Sequence, residues 1–176
     1  MLYNATMRSL KWSTSHAVFV TEIDDEHKEI FEELSNFQAT LTEHGASAET
    51  GTVCLRLATR IKDHFAHEER LMRAARYGSL EWHKRKHDSA LTRVGEYISR
   101  LDQGDREAGA ELVEYLTSWL KEHTRLADRM LGAFLRNHQR GLYKMTFRAG
   151  TKPIDACTWF DSRGERFDPT ATNSGY

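Results

Sequence analysis

The first 152 residues of this chain contain no proline; the only two stand at Pro153 and Pro169. So long a run without the residue that breaks a helix favours long helices over a sheet of many turns. The breaks come instead from short glycine-containing segments, and between them apolar residues recur at three- and four-residue steps. A first helix is expected from near Thr21, where Thr21 and Asp24 have the spacing of a capping box, and Gly45 is placed to close it. Its stripe is Ile23, His27, Ile30, Phe31, Leu34, Phe37 and Leu41. A second is expected from about Thr50 to Tyr77, stopped by Gly78, with Cys54, Leu57, Ala58, Ile61, His64, Phe65, Glu68, Leu71, Met72 and Ala75 in phase. A third begins near Leu80 and carries His83, His87, Ala90, Leu91, Val94, Ile98 and Leu101, ending in "DQGD". A fourth, from about Asp105 to Asn137, carries Leu112, Leu116, Leu120, His123, Ala127, Met130, Leu131 and Phe134.

Four amphipathic segments joined by short loops predict an all-α, up-down-up-down four-helix bundle, preceded by an N-terminal arm over residues 1–20. The bundle unit is expected to span residues 1–140. From Gly141 the character changes: Tyr143, Met145 and Phe147 alternate with Lys144, Thr146 and Arg148, a period-two strand signal. "CTWFDSRGERF" reads as a further strand pair about a turn at Asp161-Ser162-Arg163-Gly164. Residues 141–176 are therefore expected to form a short C-terminal extension of β-hairpin type, not an independent domain.

Composition narrows the class. Charged residues make up 29% and hydrophobic residues 39%, as in a globular domain. A net charge of −1 gives no electrostatic case for nucleic acid. No apolar run approaches membrane-spanning length, "MLYNATMRSLKW" lacks the apolar core of a signal peptide, and Cys54 and Cys157 lack metal-type spacing, so a reduced, cytoplasmic chain without a membrane partner is expected.

Histidine is the outlier, with nine in the chain. Five of them fall on the apolar stripes, together with two carboxylates: His27 on the first helix, His64 and Glu68 on the second, His83 and His87 on the third, His123 and Asp128 on the fourth. Any one buried histidine is usually a satisfied core residue. Burying all seven groups without strong partners would cost several kcal/mol or more, whereas neutral imidazoles and carboxylates are the donors that a borderline first-row metal ion accepts. Residues i and i+4 stand one turn apart on one face, so His64 with Glu68 and His83 with His87 each make a two-toothed clamp. Asp128 departs from this spacing. Five residues on an ideal helix turn through about 500°, which leaves it about 140° from His123. Either a local π-type turn brings the two onto one face or Asp128 is a surface charge.

Taken in order, His27, "HFAHEE", "HKRKH" and "HTRLAD" resemble the hemerythrin family, bacterial type, and "WSTSHAVFVTEIDDEHKEIF" is similar to that family's arm and first helix. The resemblance covers roughly residues 12–137. It implies two non-haem iron ions, Fe2+ or Fe3+, with a bridging oxo or hydroxo group. His83, His87 and His123 would hold one iron, His27 and His64 the other, and Glu68 and Asp128 would bridge both. The second iron would keep an open position for dioxygen. Gly78 departs from the family, which often has proline there. Neutral donors dominate the set, which favours returning to the diferrous state over cleaving the oxygen–oxygen bond. Reversible dioxygen binding by a carrier, store or scavenger rather than an enzyme is the reading this favours. The alternatives are a di-iron enzyme acting on peroxide or nitric oxide and a sensor of oxygen, redox state or iron. The extension is a candidate surface for a protein partner or self-association.

Helical phase places Ile30, Phe31, Phe65 and either Leu126 or Ala127 around a dry pocket. His44 and His138 are expected at helix C-termini, where a cationic imidazole is favoured, and His67 off the centre of its stripe, exposed or beside a ligand. Phase leaves His16 unassigned and gives Trp12 two readings, a lid over one bundle end or ordinary packing.

Overall fold

The computed structural model describes residues 11–105, 107–148, 159–160 and 166–167. A 3-10 turn, Thr14–His16, interrupts the arm; α1 is Thr21–His44, α2 Ala48–Ala74, α3 Leu80–Asp102 and α4 Ala108–His123. A π-helical turn, Thr124–Asp128, joins α4 without a break to α5, Arg129–Arg148. Thus α4, the π turn and α5 form one rod, the fourth of the bundle. Each helix packs on its neighbour in sequence, and α4 closes back on α1.

Three layers stack along the bundle. A larger apolar cluster holds Ile30 to Phe37 of α1, Val53 to Phe65 of α2, Ala90 to Leu101 of α3 and Ala108 to Leu120 of α4. A smaller one holds Val18 and Ile23, then Leu71 to Tyr77, then Leu131 and Leu135. Between the two lie His27, His64, Glu68, His83, His87, His123 and Asp128, all buried. Along α1 the order is small cluster, His27, large cluster; along α2 it is large cluster, His64 and Glu68, small cluster. The fourth rod repeats the order of α2, so the helices alternate in direction, as an up-down-up-down bundle requires.

Several helix ends differ from the sequence reading. Helix α1 lacks a capping box: Val20 is its N-cap, with no side-chain cap bond. The Asp24 carboxylate instead accepts the backbone N–H groups of Val18 (2.8 Å) and Phe19 (2.9 Å), pinning the arm. Helix α2 begins two residues before Thr50, because Ser47 caps it through the Thr50 N–H. Its end is set by Arg76 and not by Gly78. Arg76 takes φ 53° while the Tyr77 N–H reaches back to the Met72 carbonyl at 2.9 Å, a Schellman-type closure that turns Tyr77 into the smaller cluster. At Gly45 the expectation holds: φ is 60° and its N–H bonds the Leu41 carbonyl.

The strand expected over Tyr143, Met145 and Phe147 is helix, since α5 runs to Arg148. One interior glycine, Gly141, costs a helix only about 1 kcal/mol, too little to end a rod already held by packing. The bundle's last helix therefore passes the boundary expected at residue 140. Beyond it, β1 (Trp159–Phe160) and β2 (Arg166–Phe167) pair antiparallel, Trp159 opposite Phe167 and Phe160 opposite Arg166. The turn at Asp161-Ser162-Arg163-Gly164 lies outside the described residues.

The arm is strapped along α5. Arg129 donates to the Ser15 and Ala17 carbonyls at 3.2 and 3.3 Å, and Arg136 donates to the Val18 carbonyl. A Cβ at Gly132 would stand 2.4 Å from that same Val18 oxygen, so only glycine lets the arm lie this close. Trp12 packs, partly buried, against the larger cluster, with the Lys28 ammonium 5.0 Å from its ring centre. Among the described residues no helix is long and apolar enough to cross a membrane.

Candidate metal centre

All seven polar residues singled out by phase are buried at one level of the bundle, each 5% exposed or less. The Nε2 atoms of His83 and His87 both lie 3.1 Å from Nε2 of His123. Asp128 sets Oδ1 at 2.9 Å from His123 and 3.1 Å from His83, and Oδ2 at 3.2 Å from Nε2 of His27. Glu68 sets Oε2 at 3.2 Å from His87, 3.5 Å from His83 and 3.8 Å from His64. The donors resolve into two groups, each converging within 4.8 Å: Glu68, His83, His87, His123 and Asp128 in one, His27, His64, Glu68 and Asp128 in the other. Glu68 and Asp128 belong to both.

The π turn explains Asp128. An i+5 turn adds one residue to the helical circuit, which brings Asp128 back beneath His123 and rotates everything after it. Ala127, Leu131 and Leu135 thereby become the buried stripe, whereas Met130, expected inside, is 47% exposed.

The chemistry of this donor set fits a cation. Both oxygens of Glu68, both oxygens of Asp128 and both nitrogens of His27 are buried without a hydrogen bond. Three imidazole nitrogens crowd to 3.1 Å, a spacing at which one proton can serve only one pair. The carboxylates also act on the imidazoles beside them. Burial lowers the affinity of His83 for a proton, but contacts with Asp128 and Glu68 outweigh this and push its pKa up to about 9. Burial likewise opposes ionisation of Asp128, yet the neighbouring imidazoles of His123, His27 and His83 hold it well below the usual carboxylate range. Buried carboxylates of this kind persist only when paired or metal-bound.

Around the donors, other side chains fix the rings. Phe65 stacks on His87 at 3.9 Å and 2°, and Trp119 on His123 at 4.1 Å and 18°. Glu26 accepts from Nδ1 of His64 at 2.8 Å and from Nδ1 of His67 at 2.6 Å. Burial raises the Glu26 pKa, but these two imidazoles outweigh it and hold the carboxylate ionised. With Nδ1 engaged outward, His64 turns Nε2 toward the donors. His67, placed off the stripe, is held by that carboxylate. Glu26 was missed from sequence. It stands beside His27 in "DDEHKE", but its partners lie 38 and 41 residues away, a pairing that helical phase does not reveal.

Ile30, Phe31, Phe65 and Ala127 are buried, whereas Leu126 is 54% exposed, so Ala127 is the residue turned inward. His16, unassigned from sequence, is buried with its ring 4.7 Å from that of Phe31. His44 ends α1, 3.6 Å from Glu49. His138 does not end a helix: α5 continues to Arg148, and His138 stacks on Phe134 at 5.9 Å and 17°.

Comparison with known proteins adds to this geometry. The hemerythrin HHE cation binding domain matches residues 18–135. A bacteriohemerythrin of Stenotrophomonas maltophilia is 33% identical over 143 residues, 77% of this chain and 92% of that protein. A bacteriohemerythrin of Pseudomonas aeruginosa is 35% identical over 124 residues, 69% of this chain and 78% of that one. Myohemerythrin-1 of Phascolopsis gouldii is 31% identical over 117 residues, 66% of this chain and 87% of that one. A solved crystal structure of a leucine-to-phenylalanine mutant superposes with a TM-score of 0.67 at 23% identity, covering 73% of this chain and 98% of that one, which speaks to the fold.

Proposed function

The chain belongs to the hemerythrin family, and from that premise we propose that it binds dioxygen reversibly at a centre of two non-haem irons, without turning it over. The observation that carries this reading is the pair of overlapping donor groups that share Glu68 and Asp128. His83, His87 and His123 are assigned to one iron and His27 and His64 to the other, with the two carboxylates spanning both. The first iron then has five protein donors and the second four, which leaves the second more open to a small ligand. When bound, the iron pair supplies a reversible two-electron couple and a place for dioxygen.

The chain's own residues hold and protect that site. Five neutral imidazoles against two carboxylates leave the centre poor in anionic donors, unlike the carboxylate-rich sites of ferritin-like di-iron proteins. Phe65 and Trp119 brace the rings of His87 and His123 from the side away from the donors. Ile30, Phe31, Phe65 and Ala127 supply an apolar wall that keeps water from the donors. The arm, tied down by Asp24, Arg129 and Arg136, runs from Trp12 on the larger cluster to Val18 in the smaller one. The chain His67–Glu26–His64 ends on Nδ1 of His64, on the far side of that ring from the donors, so it orients a ligand and does not deliver an acid to the pocket. Catalytic reduction of peroxide requires such an acid.

Metal analysis of the purified protein tests the assignment. About two irons per chain are expected. His83→Ala or His87→Ala should remove about one of them, while His44→Ala and His138→Ala should change nothing. Equal losses from the outer and inner histidines would overturn the ligand assignment.

A further inference from the structure

The run Lys84-Arg85-Lys86 takes no part in the donor set, and its three cations differ in their surroundings. Lys84 is neutralised by Asp88 at 2.5 Å, with Glu69 at 3.9 Å. Arg85 and Lys86 have no carboxylate partner among the described residues; the Lys86 ammonium lies instead 4.8 Å from the ring centre of Trp82. Trp82 stands three and four residues before Arg85 and Lys86, and Ser89 four and three residues after them, which puts the four on one face of α3, turned away from the His83 and His87 face. Together with Trp119 of α4 they line an open surface pocket of about 310 Å³. That is the low end for small-molecule sites and enough for one planar ring system.

We propose that this pocket binds a planar aromatic ring bearing a phosphate group. The two tryptophans offer flat apolar surface against which a ring stacks. Arg85 and Lys86 offer the cationic donors that phosphate accepts, at a cost lowered by their having no carboxylate to give up. Ser89 adds a hydroxyl at the same wall. The pocket also has a connection inward, because Trp119 lines it and at the same time lies parallel to the His123 ring at 4.1 Å. A ring bound there is thus separated from a donor of the candidate metal centre by one side chain. The site does not depend on the metal assignment, since none of its lining residues is a donor.

Isothermal titration calorimetry on the full-length purified chain, with flavin mononucleotide, adenosine monophosphate, riboflavin and inorganic phosphate as probes, tests this. At least one of the two aromatic phosphates should bind saturably at one site per chain, and which one does so distinguishes a flavin from a nucleotide source. Riboflavin and inorganic phosphate should each bind about tenfold more weakly or not at all. Trp82→Ala and the double variant Arg85→Ala/Lys86→Ala should each weaken binding by about tenfold or more. Both alter the outer face of α3, and circular dichroism and iron content measured on the same samples establish that the bundle and its centre persist. Lys28→Ala removes a comparable lysine–tryptophan contact at Trp12 and should leave binding unchanged. The proposal is overturned if neither aromatic phosphate saturates, if riboflavin or phosphate alone binds as tightly as the aromatic phosphates, or if the pocket variants bind like the unaltered chain.

Discussion

At the scale of single residues, the centre is arranged as much by groups that touch the donors from outside as by the donors. Glu26 is the plainest case, because it engages Nδ1 of His64 and of His67 with its two oxygens. Removing it would free the His64 ring to rotate and to take the other tautomer. In Glu26→Ala, one of the two irons should be lost to a competing chelator at an affinity weakened about 10- to 100-fold, with the other retained. Loss of both irons together, or of neither, would contradict the role given to Glu26. That the seven polar residues meet at one buried level was legible in the sequence, because burial and helical phase are both written in local spacing: His64 with Glu68 and His83 with His87 are one turn apart. Glu26 was not, because its role depends on how α1 sits against α2, and a surface-flank acid beside a histidine reads as an ordinary solvated charge.

At the scale of elements, the fourth rod carries the main structural device. Its π turn puts Asp128 on the face of His123 and resets the phase so that Leu131 and Leu135 enter the smaller cluster while Met130 leaves it. Deleting the exposed Leu126 removes the extra residue with little loss of core. Asp128 would then stand four residues after His123, about 40° round an ordinary α-helix and still on its face. The variant should keep most of its helicity by circular dichroism and still hold about two irons per chain, whereas Asp128→Ala in the full-length chain should hold about one or fewer. Full iron content in Asp128→Ala would mean that Asp128 does not bridge, and iron lost from the Leu126 deletion would mean that the π turn does more than align the two residues. The five-residue step from His123 to Asp128 left a π-type turn and a surface charge both open, and the turn is what forms. The period-two pattern at Tyr143, Met145 and Phe147 misled, because alternation over so few residues does not by itself separate strand from helix. The end of α2 misled for a different reason: a hydrophobic anchor at Tyr77 drives Arg76 into the left-handed region, which no local preference of arginine would suggest.

At the scale of the whole molecule, two apolar clusters clamp a polar layer, and the arm runs alongside from one cluster to the other. Every donor and every arm contact lies before α5 ends at Arg148, so we place the working unit within that limit. A chain truncated after Arg148 should retain its iron and the helicity per residue of the bundle, measured by metal analysis and circular dichroism. Loss of iron on truncation would show that the extension completes the core.

The account as a whole rests on a buried, histidine-rich centre that takes up dioxygen and gives it back. The direct measurement is the visible spectrum of the iron-loaded protein, reduced without oxygen, then exposed to air, then evacuated. A band should appear on admitting air, vanish under vacuum, and return over repeated cycles with about two irons still bound per chain. A band that never forms, or one that forms once and persists under vacuum as the protein becomes permanently oxidised, would contradict it.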